Sequence, residues 1–221
     1  MKKPLFGLGA IVFCGLALAS ASGAQMMRGG GPPTFAGIFN PSVGAGAAYE
    51  VQTQDSKKTM EAIVGKETVD GKDAWWWEMT MPDARAGGDL VFKMLLVMDG
   101  DNTNASKTIM QFPGKPPMEM PSGMGRGDRS RVPMDARMDA EDLGSESITV
   151  PAGTFTAQHY RAKDGSGDTW IAKNAGPYGL VKHQGKDTTM VLTKVYSDYK
   201  DKITGTPQPF KPAMLGGGQQ R

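Results

Sequence analysis

The methionine thioethers are the side chains of this sequence that are best suited to a specific chemistry. The chain has 16 methionines among 221 residues, and Met79 and Met81 form a Met-x-Met pair that begins two residues after Trp77. Thioether sulfur prefers soft monovalent metals such as Cu(I) and Ag(I). Met118 and Met120 repeat the Met-x-Met spacing, so these four methionines are the candidate metal ligands. The alternative is that Met79 and Met81 belong to a hydrophobic core, where methionine commonly fills gaps.

Other reactive side chains form no pattern of known chemistry. The only histidines, His159 and His183, lack the spacing of a zinc site. The sequence contains no G-x-S-x-G nucleophile elbow, phosphate-binding loop or dinucleotide fingerprint. His159 shares a predicted strand face with Phe155 and Ala157 and is interpreted as a half-buried structural side chain. We therefore expect no enzyme and no cofactor.

The amino-terminal segment, residues 1–24, has the pattern of a secretory signal peptide. Lys2 and Lys3 precede an apolar run at 5–18, which is followed by the small residues of ASASGA at 19–24. The apolar run is too short for a stable membrane span, so the mature chain is expected to have no transmembrane segment. Cleavage after residue 21 or 24 would place the protein in the periplasm or outside the cell.

Removal of this leader changes the cysteine count and the charge. Cys14 is the only cysteine, so the mature chain would contain no thiol and no disulfide. Phe13 occupies a position where a lipoprotein signal normally has a small residue, which argues against lipid attachment at Cys14. Loss of Lys2 and Lys3 lowers the Lys+Arg count from 25 to 23, which equals the Asp+Glu count of 23. A neutral chain does not indicate a nucleic-acid partner.

The remaining sequence divides by composition. Residues 25–34 and 207–221 are rich in glycine and proline or end in GGGQQR, and are predicted to be a flexible lead and a disordered tail. The β domain is predicted over 35–206, interrupted by a long loop at 113–144. Five methionines make this loop methionine-rich: Met118, Met120, Met124, Met134 and Met138.

Both parts of the predicted domain have the pattern of short β-strands. In DAWWWEMTM, Trp75, Trp77, Met79 and Met81 alternate with more polar residues, as in a strand with one buried face. The run at 90–98 is apolar on both faces apart from one lysine, as in a covered central strand. Turn residues recur at short intervals. We predict a mainly β fold with little helix, in which about ten antiparallel strands form one curved sheet or half-barrel.

Two stretches resemble known proteins. The block SITVPAGTFTAQHYRAKDGSGDTWIAKNAGPYGLVKH, most specifically over 148–182, is similar to one in secreted bacterial proteins of unknown function. Residues 76–81 (WWEMTM) resemble the W-x-E-M-T-M element of small periplasmic copper and silver chaperones, in which two methionines hold the metal under a tryptophan. The histidine ligand of those chaperones corresponds here to Thr68.

The cleaved leader, the number of strands and the long mid-chain excursion resemble LolA-type periplasmic lipoprotein carriers. This resemblance implies a concave sheet face that holds acyl chains. We expect an exported binding protein of the cell envelope whose partner is a lipid or another apolar small molecule. The alternatives are a structural or interaction module that contacts envelope proteins, and a methionine-based Cu(I)/Ag(I) chaperone. The expected ligand-binding residues are Trp75, Trp77, Met79, Phe92 and Met94.

Overall fold

A computed structural model of the chain describes residues 37–52, 56–83, 87–99, 102–121, 137, 139–203 and 205–211, all within one compact unit, Gly31–Lys211. The predicted leader and lead at 1–34 lie outside these residues. The strands are β1 (Gly46–Gln52), β2 (Ser56–Val69), β3 (Lys72–Asp83), β4 (Gly88–Asp99), β5 (Asn102–Gln111), β6 (Met118–Glu119), β7 (Ala140–Val150), β8 (Gly153–Ala162), β9 (Gly167–Ile171), β10 (Leu180–Gly185), β11 (Thr189–Tyr196) and β12 (Gln208–Pro209).

The described strands form one 12-stranded sheet in the order β12-β6-β5-β4-β3-β2-β1-β11-β10-β9-β8-β7. Neighbours are antiparallel except β12, which runs parallel to β6. No α-helix occurs among the described residues. The predicted fold class, a mainly β protein built on one curved sheet, is confirmed, with two short strands beyond the predicted ten.

The alternation predicted for β3 sets the position of the hydrophobic core. In the sheet register, Trp77 faces Ile63 on β2 and Met94 on β4, while Met79 faces Phe92. Residues opposite one another on antiparallel strands share a face. This face forms the main core, joined by residues of β1, β8, β10 and β11.

The backbone angles of the turn between β2 and β3 explain why β2 ends at Val69. Asp70 and Gly71 have φ angles of 50° and 75°, as required by the two central residues of a type I′ hairpin turn. Aspartate and glycine tolerate this left-handed backbone better than other residues. The predicted turn at this site is therefore present.

The second face of β4 is covered by a segment that we call the strap, residues 199–203 and 205–210. Its Ile203 packs with Val91 and Ile109 in a small second cluster. Lys93, the one charged residue in the middle of β4, is paired with Asp201 of the strap. Both faces of β4 are thus covered, as its apolar sequence predicts.

Two predicted boundaries are corrected. β6 and the first residues of β7 lie inside the predicted loop at 113–144, of which residues 122–136 and 138 are outside the described part of the chain. In the predicted tail at 207–221, Gln208 and Pro209 form β12, because the Gln208 amide donates to the Pro117 carbonyl at 2.9 Å. Residues 212–221 are outside the described part.

Candidate ligand-binding site

The residues predicted to bind ligand are brought together on one face of β3 and β4. Trp77 and Met79 are 3% and 0% exposed, and Phe92 and Met94 are each 9% exposed. Trp75 is partly buried against the same core. Their contacts are those of core residues, and none of the five is among the described residues that line the cleft identified below.

The cleft lies at the opposite end of the sheet order, on β8 and β9, and has a volume of about 480 Å³. Its walls are mostly apolar and include a few polar groups. The described lining residues are Ile38, Phe39, Asn40, Gln158, Tyr160, Ile171, Lys173 and Gly179.

One wall of the cleft is the short segment before β1. The amide of Ile38 donates to the Tyr178 carbonyl at 2.9 Å, and the amide of Asn40 donates to the Pro177 carbonyl at 2.8 Å. Gly37 permits this approach, because a Cβ at that position would lie 2.4 Å from the Tyr178 carbonyl oxygen. The segment is therefore fixed to the turn before β10 by its backbone.

The floor of the cleft is one face of the β8–β9 pair. Gln158 faces Ile171 and Tyr160 faces Thr169 in the register, so these four side chains share a face. Tyr160 and Ile171 are mostly buried and supply the apolar surface. Their alternation with the residues of the other face follows from the period of two along a strand.

The other face of the same two strands carries a polar and aromatic cluster. His159 stacks on Trp170 with ring centroids 4.3 Å apart. Its Nε2 lies 2.8 Å from Asp168 and its Nδ1 lies 3.1 Å from Glu146, so both nitrogens donate only when the ring is protonated. Lys182 lies over the Trp170 ring, with Nζ 4.9 Å from its centroid. The His159 ring nitrogens thus have polar partners within the protein, and these contacts agree with the predicted structural role of a half-buried side chain.

A row of aromatic rings connects the cleft wall to the main core. The Phe39 and Tyr178 ring centroids are 5.1 Å apart, and Tyr178 meets Trp77 edge to face at 6.2 Å. Trp77 Nε1 then donates to Glu61 Oε2 at 3.1 Å, and Tyr49 Oη donates to Glu61 Oε1 at 2.9 Å. The rings of Phe39, Tyr178 and Trp77 thus form a continuous series of contacts between the cleft and the carboxyl group of Glu61.

Burial governs the protonation of Glu61. Its side chain is fully buried, and desolvation of the charged form raises its pKa to about 8, although the hydrogen bonds from Tyr49 and Trp77 oppose the shift. The same burial, together with the proximity of Glu61, raises the pKa of Tyr49 and Tyr178. The burial of Glu61 could not be predicted from the sequence, because nothing in the residues around it in β2 distinguishes it from an exposed strand residue.

A second buried carboxyl group, Glu78, fastens the strap to β3. Glu78 accepts hydrogen bonds from Tyr199 Oη at 3.1 Å and from the Lys202 amide at 3.1 Å. The Ile203 amide contributes a longer bond of 3.4 Å. Burial, and next the nearby Asp201, raises the pKa of Glu78 to about 7. Its role is to hold the strap.

The four candidate metal ligands do not come together. Met79 faces Phe92 on β4, Phe92 faces Met110 on β5, and Met110 faces Met118 on β6. Three strand spacings therefore separate Met79 from Met118, which amounts to about 14 Å. Met81 lies beside Met79, but a site that also uses Met118 and Met120 cannot form on this sheet.

Comparison with known proteins adds a similarity to two solved structures. No protein-family model and no curated protein matches the chain. The chain is similar to a Bacteroides fragilis protein described as exported and as having a YmcC-like fold, at 15% identity and a TM-score of 0.36; the match covers 73% of this chain and 99% of that chain. It is also similar to a Parabacteroides distasonis protein described as a lipoprotein, at 14% identity and a TM-score of 0.35, with the same two coverages of 73% and 99%.

These TM-scores are too low to carry an assignment of function, and the resemblance to LolA-type carriers stays a prediction. The described residues contain no helix with the length and hydropathy that a membrane span requires. The cleft could not be found from the sequence, because its walls come from residues far apart in the chain. The one feature near the cleft that the sequence does predict is the turn at Pro177, Tyr178 and Gly179.

Proposed function

We propose that this protein is an exported, non-enzymatic binding protein of the bacterial cell envelope, which holds a lipid or another apolar ligand in the cleft. The observation that carries the proposal is the cleft itself. Its volume of about 480 Å³ falls within the range of ligand pockets, roughly 300–1,000 Å³. Mostly apolar walls that include a few polar groups are also typical of such pockets.

The contacts of the cleft support a preformed site. Backbone hydrogen bonds fix the Ile38–Asn40 wall to the turn at Pro177 and Tyr178, and the floor belongs to the continuous sheet. A preformed pocket needs less ordering when a ligand binds. Export is supported by the leader at 1–24, whose charged start, apolar middle and small-residue end match a signal peptide.

The test is native mass spectrometry of the full chain expressed in a bacterium and purified from its envelope fraction. We expect a mature protein cleaved near residue 21 or 24 that carries a co-purifying lipid or other apolar molecule. Ile38→Trp fills the cleft and should abolish this adduct. Val43→Trp makes a similar change at a residue that is 54% exposed and does not line the cleft, so it should retain the adduct.

The outcomes separate the alternatives. A protein that is bare in its native form, and stays bare after incubation with dodecanoate and dodecanol, would overturn the binding function and leave a structural or interaction module. An adduct that survives Ile38→Trp would place the ligand elsewhere, and Phe92 and Met94 would become the next residues to test.

A further inference from the structure

We infer that the cleft selects amphiphiles with an anionic head group, which Lys173 holds while the alkyl chain lies against the apolar walls. This inference rests on the proposed function, because it assigns the ligand class of the same site. It places an alkyl carboxylate or alkyl phosphate in the cleft in preference to a neutral or cationic lipid.

The charge of the cleft is the first support. Lys173 is the only charged residue among its described lining residues. It lies two positions beyond Ile171, the last residue of the floor strand β9, and its side chain is exposed. A single cation among the lining residues of a mostly apolar pocket suits a ligand with an anionic head and an apolar body.

The second support is that Lys173 lacks the contacts that occupy several lysines of the sheet. Lys66, Lys93, Lys107 and Lys202 each form an ion pair with an acidic residue. Two further lysines lie over aromatic rings, Lys182 on Trp170 and Lys194 on Tyr196. Within the described residues, Lys173 has no such partner.

The neighbouring polar groups are compatible with this assignment. Gln158 donates through its amide nitrogen to Asp142, and the Asp142 carboxylate also accepts from the Gly144 amide at 2.8 Å. Asp142 is thus held on β7 by two hydrogen bonds and is not among the described residues that line the cleft. Asn40, on the opposite wall, adds an amide that can donate to a head-group oxygen.

The experiment compares three probes of equal chain length with the full mature protein by isothermal titration calorimetry, below their micelle concentrations. The probes are dodecanoate, dodecanol and dodecyltrimethylammonium. We expect dodecanoate to bind about tenfold or more tightly than dodecanol, as for a charge-assisted hydrogen bond. Lys173→Gln should reduce dodecanoate affinity to the level of dodecanol, without changing dodecanol affinity, while Lys173→Arg should retain the preference.

The matched control is Lys186→Gln, a change at an exposed lysine in the turn between β10 and β11, which should leave all three affinities unchanged. Equal binding of dodecanoate and dodecanol would overturn the head-group inference and leave the proposed function intact, as would a preference for the cationic probe. Failure of all three probes to bind would overturn both proposals.

Discussion

Trp77 Nε1 on β3 donates a 3.1 Å hydrogen bond to Glu61 Oε2 on the neighbouring strand β2, and so binds a carboxyl group that is buried in the main core. Tyr49, on β1, donates its hydroxyl hydrogen to the other oxygen of the Glu61 carboxyl group, Oε1. Both side chains donate to the carboxyl group, which can accept them in its neutral form because each of its oxygens keeps lone pairs. The three central strands are thereby joined through a group that is neutral at moderate pH.

The stability of the protein is expected to fall as pH rises from about 5 to 8. Burial raises the pKa of Glu61 to about 8 and that of Glu78 to about 7. The folded chain therefore binds protons that the unfolded chain releases above pH 4.5, and each pKa unit corresponds to about 1.4 kcal/mol. The lowered pKa of His183 acts in the opposite direction below pH 6.5. Urea denaturation at several pH values measures the slope.

The Glu61→Gln variant tests the origin of this slope. Glutamine resembles the protonated carboxyl but cannot lose a proton, so the variant should be close to the natural protein in stability at pH 5 and more stable at pH 8. The upper part of the pH dependence should become flatter. Glu67→Gln, at an exposed position of the same strand, is the matched control and should leave the slope unchanged. A slope unchanged by Glu61→Gln would show that Glu61 ionises normally.

The Trp77→Phe variant should lose stability by more than its smaller volume explains. Phenylalanine cannot donate to Glu61 Oε2, and an unsatisfied buried acceptor costs about 1–3 kcal/mol. Trp75→Phe is the control on the same face, because Trp75 is only partly buried there. Denaturant titration of both variants at pH 6 gives the comparison. Equal losses would contradict a role for the indole hydrogen bond.

How much of this arrangement the sequence predicts depends on the range of the interactions. The alternation around Trp77 and Met79 is local, and it identifies both the strand and its buried face. Glu61 and the cleft are different, because their environment comes from strands brought together over long sequence distances. Ile38 meets Tyr178 through backbone atoms, which leave no pattern in the side chains.

The strap should detach when Glu78 is replaced. Glu78→Ala removes the acceptor of the Tyr199 hydroxyl and of the Lys202 amide, while the Ile203 amide keeps its 2.8 Å bond to Asp201. We expect faster amide hydrogen exchange at 199–203, with little change in the central amides of β3. Glu67→Ala is the matched control. Protection at 199–203 that is equal in the two variants would show that the other contacts of the strap, including the Lys93–Asp201 pair and the packing of Ile203, hold it without Glu78.

Silver ions should not form a tight complex with the protein. Because strand spacing separates Met79 from Met118 by about 14 Å, at most two of the four candidate thioethers can share an ion. Titration with Ag(I), followed by native mass spectrometry, should show no stoichiometric adduct. A one-to-one adduct that disappears in Met79→Leu but persists in Met60→Leu would support the chaperone alternative.

The place of β1 in the sheet bears on the order in which the chain can fold. Gly46 of β1 faces Tyr196 of β11, about 150 residues later in the sequence. A chain that emerges amino end first can pair β1 with β2 early, but the other edge of β1 must wait for nearly the whole domain. Contacts of such long range slow folding, and an unpaired edge invites association with other chains. The unpaired edge of β1 therefore stays open to association until the carboxyl-terminal third of the chain can join the sheet.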